Sequence, residues 1–355
     1  MPQSETKLIS IIIPSLHRPD LTRRCIESLA QQDLCADQWE VIVAENDARP
    51  DSILPDPLPP NTRRILLTAN YGTTGSINRG LAASSSKYVL ILNNDVELDS
   101  HYLSLLTATL QDERYAFATG KLLRATDHTL LDGAGDGLLQ GGCSYRLGHG
   151  DPDQGQFDEK LATLVGCGAA TLFRRSVLEE AQGLDEIFFA YLDDVDLCLR
   201  THLLGYQGLY VPTAFGYHIG SATLGAPLHP KVIELLTRNQ LLLLIKTYPI
   251  AVWIRSLPRI VVCQILWLLL VAQKRELPSY VRGIWGAVRF LPQSLRKRRQ
   301  VMSTRRVSNT QLLELLRYSE NQVFTWHHSR LAASRSTLLN VYFWLFGSNG
   351  PAEWA

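Results

Sequence analysis

The chain has six cysteines, Cys25, Cys35, Cys143, Cys167, Cys198 and Cys263, yet no CxxC pair. Thiols so isolated favour neither a zinc cage nor a disulfide framework, and a reducing cytosol suits them. No secretory leader is legible before them. There is no GxGxxG and no GxxxxGK[ST], so the dinucleotide and P-loop readings lose their usual support. The longest nearly apolar run, Ile260 to Ala272, has 13 residues. As a helix it would reach ~20 Å, short of the ~30 Å hydrocarbon core of a bilayer. Net charge is also scarce: 35 Lys and Arg against 34 Asp and Glu leave +1, which by itself names no partner.

That balance hides a partition. Residues 1–230 carry 17 basic and 29 acidic side chains, a net of −12; residues 231–310 carry 15 and 2, a net of +13; residues 311–355 carry 3 of each. An acidic body joined to a basic, apolar segment implies two environments. With 355 residues, 46% of them hydrophobic, the chain can build one large domain and an appendage.

The acidic part alternates strands with helices. "KLISIIIPSL" is a β-branched run closed by Pro14, and "RPDLTRRCIESLAQQ" places Leu21, Cys25, Ile26 and Leu29 at helical spacing behind Asp20, a candidate cap. "WEVIVAEND" and "RRILLT" read as strands on either side of a proline-rich loop. "GSINRGLAASS" reads as a helix entered through Gly72 and Gly75, and "KYVLILNN" as a fourth strand. The alternation predicts an α/β fold around a mostly parallel sheet, with ligands beyond the carboxyl ends of its strands. Three of those ends are polar: Ser15 to Arg18, Glu45-Asn46-Asp47, and Asn93-Asn94-Asp95.

Six stretches, in order, resemble the blocks of family 2 glycosyltransferases: "SIIIPSLHRPDLTRRCIESL", "VIVAEND", "NYGTTGSINRGL", "YVLILNNDVELD", the long run from "GCGAATLF" to "GYQGLYVP", and "GYHIGSAT". The resemblance covers about residues 7 to 225 and is nearest to bacterial rhamnosyltransferase-type members that build cell-surface polysaccharide. It implies the GT-A fold, Rossmann-like with a mostly parallel mixed sheet, and transfer of a sugar with inversion. The implied donor is a nucleoside-diphosphate sugar, dTDP-rhamnose being the candidate. The implied acceptor is a saccharide on polyprenyl diphosphate at the cytoplasmic side of the inner membrane.

The resemblance also assigns residues. Asp95 stands at the second acid of the family's Asp-x-Asp pattern, whose first acid is here Asn93. Asp95 would hold Mg2+ or Mn2+, with Asn93 ligating or shaping the turn and His218 completing the site. The bland readings are a turn or helix cap for Asp95, a task Asp99 could share, and a hydrogen-bonded loop histidine for His218. Asp194 matches the second acid of the family's Glu-Asp pair, the general base that takes a proton from the acceptor hydroxyl; Asp193 replaces the glutamate. Asp193 and Asp196 share a helical face, and acids in a first turn also suit the helix dipole. Pro14, Ser15, Arg18, Glu45, Asn70, Gly75, Asn78 and Asn94 fall where the family binds the nucleotide sugar, Glu45 as the acceptor for a nucleobase N–H, with Arg79 as a further phosphate contact. Gly166, Cys167 and Gly168 match a small-residue loop near the acceptor, although plain strand packing explains them as well.

Three segments are expected: a catalytic domain over 1–230, a basic amphipathic membrane-associating region over 231–310, and a helical tail over 311–355. In the second, Arg255, Pro258 and Arg259 interrupt any long span. Helices lying in the interface are therefore expected, apolar face down, with Trp253, Trp267 and Trp285 at headgroup depth and Lys and Arg beside anionic lipid. A helical subdomain packed on the core is the plainer alternative. "NVYFWLF" offers a last membrane-touching stretch or a homodimer contact. Nothing but "RKRR" hints at nucleic acid, and no nucleic-acid partner is expected. Three other functions stay open: a catalytically silent scaffold of the same fold that binds nucleotide sugar or lipid; a polymerising synthase, against which the missing QxxRW motif speaks; and a nucleotidyltransferase on a similar sheet, which would need a basic, glycine-rich phosphate loop that "PSLHRPD" is not.

Overall fold

The computed structural model describes residues 7–220, 228–330 and 335–347. The elements run β1 (Ile9–Ser15), α1 (Pro19–Leu29), β2 (Trp39–Glu45), β3 (Thr62–Leu66), α2 (Gly72–Ala82), β4 (Tyr88–Leu92), β5 (Val96–Leu98), α3 (Tyr102–Thr109), β6 (Tyr115–Arg124) and β7 (Asp127–Gly133). Next come β8 (Asp136–Leu138), β9 (Ser144–Arg146), β10 (Leu161–Ala162), β11 (Ala170–Arg174), α4 (Arg175–Glu180), α5 (Asp193–Leu203) and β12 (Gln207–His218). Five helices close the described chain: α6 (Pro230–Thr247), α7 (Ile250–Gln273), α8 (Leu277–Thr304), α9 (Asn309–Ser329) and α10 (Thr337–Phe346).

Ten strands form one mixed sheet along β10-β12-β6-β11-β4-β1-β2-β3, with β5 added to β12 and β7 to β6. The first four strands are parallel, as their alternation with helices predicts; β11 runs antiparallel between β4 and β6. Side chains alternate across the sheet with period two. Ile9, Ile11 and Ile13 enter one core with α1 and α3, and Ile12 enters the other with α5, α6 and α9. Each isoleucine so buried contributes on the order of 2 kcal/mol.

Three expectations are corrected. Asp20 does not cap α1: Arg18 stands at the N-cap and Pro19 at the first turn, where no backbone N–H is needed, and Asp20 pairs with Arg18 instead. Arg255, Pro258 and Arg259 do not interrupt a long span. All three lie inside α7, a continuous helix of 24 residues with mean hydropathy 1.8 in its most apolar window, long and apolar enough to cross a membrane by length and composition. Residues 231–310 are not one surface region either. Leu242, Leu243 and Leu244 of α6 share a core with Val195 and Leu199 of α5, so α6 completes the body while α7 and α8 face outward.

The final helices close the back of the β8–β9 hairpin. Ser319 Oγ accepts from the Leu138 amide at 2.8 Å, and Glu320 takes the Gln140 side chain at 2.6 Å and the Tyr342 hydroxyl at 3.0 Å.

Candidate active site

Asp95 and His218 meet because the strands beside them are paired. Val96 of β5 lies opposite His218 of β12, and the Ile219 amide donates to the Asp95 carbonyl at 3.1 Å. His218 Nε2 is thereby 3.3 Å from Asp95 Oδ1, while Nδ1 is 2.7 Å from Asp132 Oδ2. Burial disfavours the charged ring, but hydrogen bonds to Asp132 and Asp95 and their charges outweigh it, and the imidazole is raised to about 9. Asp132 also receives Arg146 Nη1 at 2.8 Å, and its carbonyl accepts from His149 Nδ1 at 2.9 Å. Across the β8–β9 ladder Arg146 faces Asp136, with Nε 3.8 Å from Oδ1. Burial pushes the Asp136 carboxyl up to about 7; Arg146 opposes the shift, while Asp194 and Asp132 add to it.

The two acids beginning α5 sit beside this group. Asp196 of the same turn points inward, 2.9 Å from Arg200 Nη2 and 2.6 Å from Lys246 Nζ. Asp193 is buried and Asp194 only half-buried. Asp194 Oδ1 accepts from the Val195 amide at 2.8 Å, and Oδ2 rests on Gly168, where a Cβ would collide with it. Burial raises both carboxyls, Asp193 to about 7 with the Asp194 charge adding to it, while the Val195 amide restrains Asp194. The Asn93 amide donates to the Ala169 carbonyl at 2.8 Å. That bond ties the turn carrying Asp95 to the loop under Asp194. The two acids therefore occupy one rim of the sheet, and Arg146 feels the charges of Asp136, Asp132 and Asp194 together.

A divalent cation suits this rim. Asp95 and His218 offer an oxygen and a nitrogen 3.3 Å apart; with Nδ1–H donated to Asp132, a cation would take the place of the proton that Nε2 shares with Asp95. Mg2+ and Mn2+ accept few protein ligands when phosphate and water supply the rest. Among the described residues no group of three or more His, Cys, Asp or Glu could hold a metal, so a cation here would lean on substrate oxygens.

Residues 10–181 match the family model described as glycosyl transferase family 2. The chain carries a family 2 glycosyltransferase domain. It is 29% identical over 218 residues to the O-antigen biosynthesis protein RfbC of Myxococcus xanthus, covering 59% of this chain and 17% of that one. It is 26% identical over 230 residues to rhamnosyltransferase WbbL of Escherichia coli, covering 59% and 83%. It is 29% identical over 181 residues to N-acetylglucosaminyl-diphospho-decaprenol L-rhamnosyltransferase of Mycobacterium tuberculosis, covering 45% and 59%. The chain thus spans less than two thirds of the first and third of these relatives. Among solved structures, S. aureus TarS superposes with a TM-score of 0.53 at 15% identity, over 90% of this chain and 53% of that one. GalNAc-T7, solved with UDP, GalNAc and Mn2+, gives 0.51 at 12%, over 66% and 48%. At such identities the likeness shows the GT-A fold alone.

Within the family 2 domain the remaining sequence-derived residues divide. Asn94 Nδ2 donates to Thr22 Oγ1 at 3.1 Å and Ser15 shares a 2.9 Å hydrogen bond with the same hydroxyl, which locks the ends of β1 and β4 together beside Pro14. Arg18 is half-exposed within reach of the Asp95 charge. Asn70 Oδ1 accepts from Asn46 Nδ2 at 2.8 Å and from the Gly72 amide at 2.9 Å, shaping the entry to α2. Gly75 lets the Tyr71 side chain lie against the first turn of α2, where a Cβ would stand 2.7 Å from that of Tyr71. Asn93 acts through its main chain, also accepting from the Val96 amide at 3.3 Å.

Other assignments do not survive as drawn. Glu45 is 1% exposed, and its Oε1 accepts from the Leu54 amide at 2.8 Å, so it faces the proline-rich loop, not an open rim. Asn78 spends its amide on the Leu184 main chain, at 2.9 and 3.0 Å, and Arg79 lies 3.3 Å from Glu186; both staple α2 to the loop before α5. Cys167 is fully buried, with its thiol pushed up to about 12 by burial, and Gly166 packs on Thr171. Of that loop only Gly168 touches a candidate catalytic group. Ser221, Ala222 and Thr223 of the last block lie outside the described residues. Asp132, Asp136, Arg146 and His149 were missed; their signal was a stretch, "LLDGAGDGLLQGGCSYRLGHG", with charged residues set among glycines between two better-known blocks.

Proposed function

We propose that this chain is a metal-dependent, inverting glycosyltransferase acting on a nucleoside-diphosphate sugar, with dTDP-rhamnose the first donor to try. The acceptor in this reading is a saccharide on polyprenyl diphosphate. The observation that carries it is the juxtaposition on one rim of the Asp95–His218 pair and the Asp194 carboxylate. The names of the relatives from Escherichia coli and Mycobacterium tuberculosis support the rhamnosyl donor, and the second supports the lipid diphosphate acceptor.

In this reading Asp194 takes the proton from an acceptor hydroxyl as that oxygen bonds to the anomeric carbon. The bond from that carbon to the diphosphate breaks, and its electron pair departs with the diphosphate. A single displacement inverts the centre. A carboxyl held above its ordinary range is the better base near neutral pH. Asp95 and His218 would hold the cation, which when bound neutralises charge growing on the leaving diphosphate. Asp132 fixes the orientation of the His218 ring, and Arg146 fixes Asp132.

Ile250, Ile254, Leu257, Val261, Ile265 and Leu269 form an exposed stripe along α7. Leu277, Val281, Trp285, Val288 and Leu295 form another on α8, flanked by Arg282, Arg289 and Arg296 at seven-residue spacing, all exposed. The opposite face of α7 is committed to the body: Trp267 Nε1 donates to Thr237 at 2.8 Å, and Arg259 lies 3.5 Å from Glu320. A helix bound to protein along one side and apolar on the other fits the plane of the membrane interface at the cytoplasmic face. The exposed Trp344 of α10 is a further membrane or homodimer contact in this scheme.

The test is a donor panel with purified protein, scoring release of nucleoside diphosphate with Mg2+, with Mn2+ and with chelator. Activity is expected with a divalent cation and to be lost in both Asp95→Ala and Asp194→Asn. Full turnover in either variant, as folded as the parent by circular dichroism, would remove the mechanism.

A further inference from the structure

The segment entering α5 has a backbone that ordinary side chains avoid. Phe189, Tyr191 and Leu192 have φ of 65°, 68° and 59°, none of them glycine. Such a run persists only where its surroundings hold it. One holder is α2: the Thr74 amide donates to the Phe189 carbonyl at 3.2 Å, a closeness that requires Gly72. The other is α6, from outside the segment that carries the family blocks. Asn239, fully buried, points its Nδ2 at three carbonyls: Phe188 at 3.0 Å, Ala190 at 2.9 Å and Tyr191 at 2.7 Å. Its Oδ1 accepts from Arg238 Nε at 2.9 Å, and Arg238 Nη2 reaches the Phe188 carbonyl at 2.6 Å. Three acceptors facing Nδ2 and a guanidinium facing Oδ1 settle which way the amide is turned.

We propose that Asn239 is a positioning residue for the transfer reaction, holding the left-handed run that aims Asp193 and Asp194 at the rim. This rests on the reading of Asp194 as the base. The two acids follow Leu192 without a break, so any relaxation of residues 188–192 rotates the first turn of α5 and moves the carboxylate off Gly168. The grip then passes to the outer helices. A Cβ on Gly283 of α8 would stand 2.7 Å from the Glu234 carbonyl of α6, one on Gly286 would stand 3.0 Å from Arg238 Cδ, and Lys297 of α8 bonds Asp185 at 2.5 Å. Lys246 of α6 adds a second hold, 2.6 Å from Asp185 before the run and 2.6 Å from Asp196 after it.

The experiment compares Asn239→Ala, Arg238→Met and Asp194→Asn in the full chain. It measures steady-state turnover with dTDP-rhamnose or whichever donor the panel yields, dTDP affinity by calorimetry, and hydrogen–deuterium exchange over residues 186–195. Asn239→Ala is expected to lower kcat by about tenfold to a hundredfold with donor KM within about twofold, since misplacing a catalytic group acts on the transition state more than on ground-state binding. Exchange over the run should quicken while dTDP affinity holds. Arg238→Met, which removes the bonds to Asn239 Oδ1 and to the Phe188 carbonyl but leaves Asn239 in place, should show the same pattern at about twofold to fivefold. Unchanged kcat and unchanged exchange in a folded Asn239→Ala overturn the proposal. If that variant does not fold, the same null result in Arg238→Met overturns it. Asp194→Asn separates the two failures: if it stays active, the base assignment falls; if it is dead while Asn239→Ala is normal, only the positioning role falls. Should no donor turn over, the exchange arm alone decides whether Asn239 holds the run.

Discussion

Replacing Asp193 by asparagine should make the protein more stable at alkaline pH and leave it nearly unchanged in acid. An ordinary aspartate releases its proton near 3.8, whereas burial, reinforced by the Asp194 charge, keeps the Asp193 carboxyl protonated to about 7. Between those values the unfolded chain has released a proton that the folded chain retains, so stability falls as pH rises and the full cost is present above about 7. Three pH units at about 1.4 kcal/mol each set a ceiling of about 4 kcal/mol. The helix N-terminus opposes this by about 0.5 kcal/mol, too little to reverse the sign. The amide keeps nearly the same volume and removes the charge. The assay is urea unfolding of parent and Asp193→Asn, with chelator, near pH 4.5 and pH 8. The stability gap should widen by about 2–4 kcal/mol in favour of the variant at the higher pH. An equal gap at both pH values, or a variant less stable near pH 8, would refute the claim that this acid is held against its ionisation.

Gly168→Ala places a Cβ where Asp194 Oδ2 now rests; turnover should fall at least about tenfold while dTDP affinity, measured by calorimetry, holds. Val281→Glu with Trp285→Glu puts two acids in the middle of the exposed α8 stripe. Flotation with anionic liposomes should be lost or sharply reduced, with the unfolding midpoint unchanged because both side chains are exposed; undiminished flotation would reject the contact.

The first four strands were legible because they are short apolar runs set between helices and turns, and the rim was legible because three of the sequence's runs end in polar residues. Where the reading went wrong, a partner from another segment had decided. Nothing around Glu45 announces that the Leu54 amide will take its carboxylate. Asn78 looks like a nucleotide contact until the loop at Leu184 folds onto it from 106 positions away. Arg255, Pro258 and Arg259 were read by local rule as interrupting any long span, but the Cys263 face of α7 is buried, and tertiary packing carries the helix through the proline. Asp132 stayed invisible because its role is to orient His218, whose own sequence neighbours are remote.

The charge partition along the sequence misled in an instructive way. The basic segment carries two kinds of cation. Lys246 and Lys297 are turned inward to Asp185, and Lys246 also to Asp196, so part of that charge neutralises acids of the body. Burial weakens the ammonium of Lys246, which is 2% exposed, and its position is tenable only because two carboxylates face it at 2.6 Å. Arg282, Arg289 and Arg296 are exposed and line the apolar stripe of α8. Lys246 is buried in the core beneath α5, whereas Trp285 stands 70% exposed beside those three arginines. Residues 231–310 therefore divide: α6 belongs to the body, the exposed stripe of α8 is the face that the proposed membrane contact would use, and the boundary at 230 marks a change of composition within a fold that continues across it.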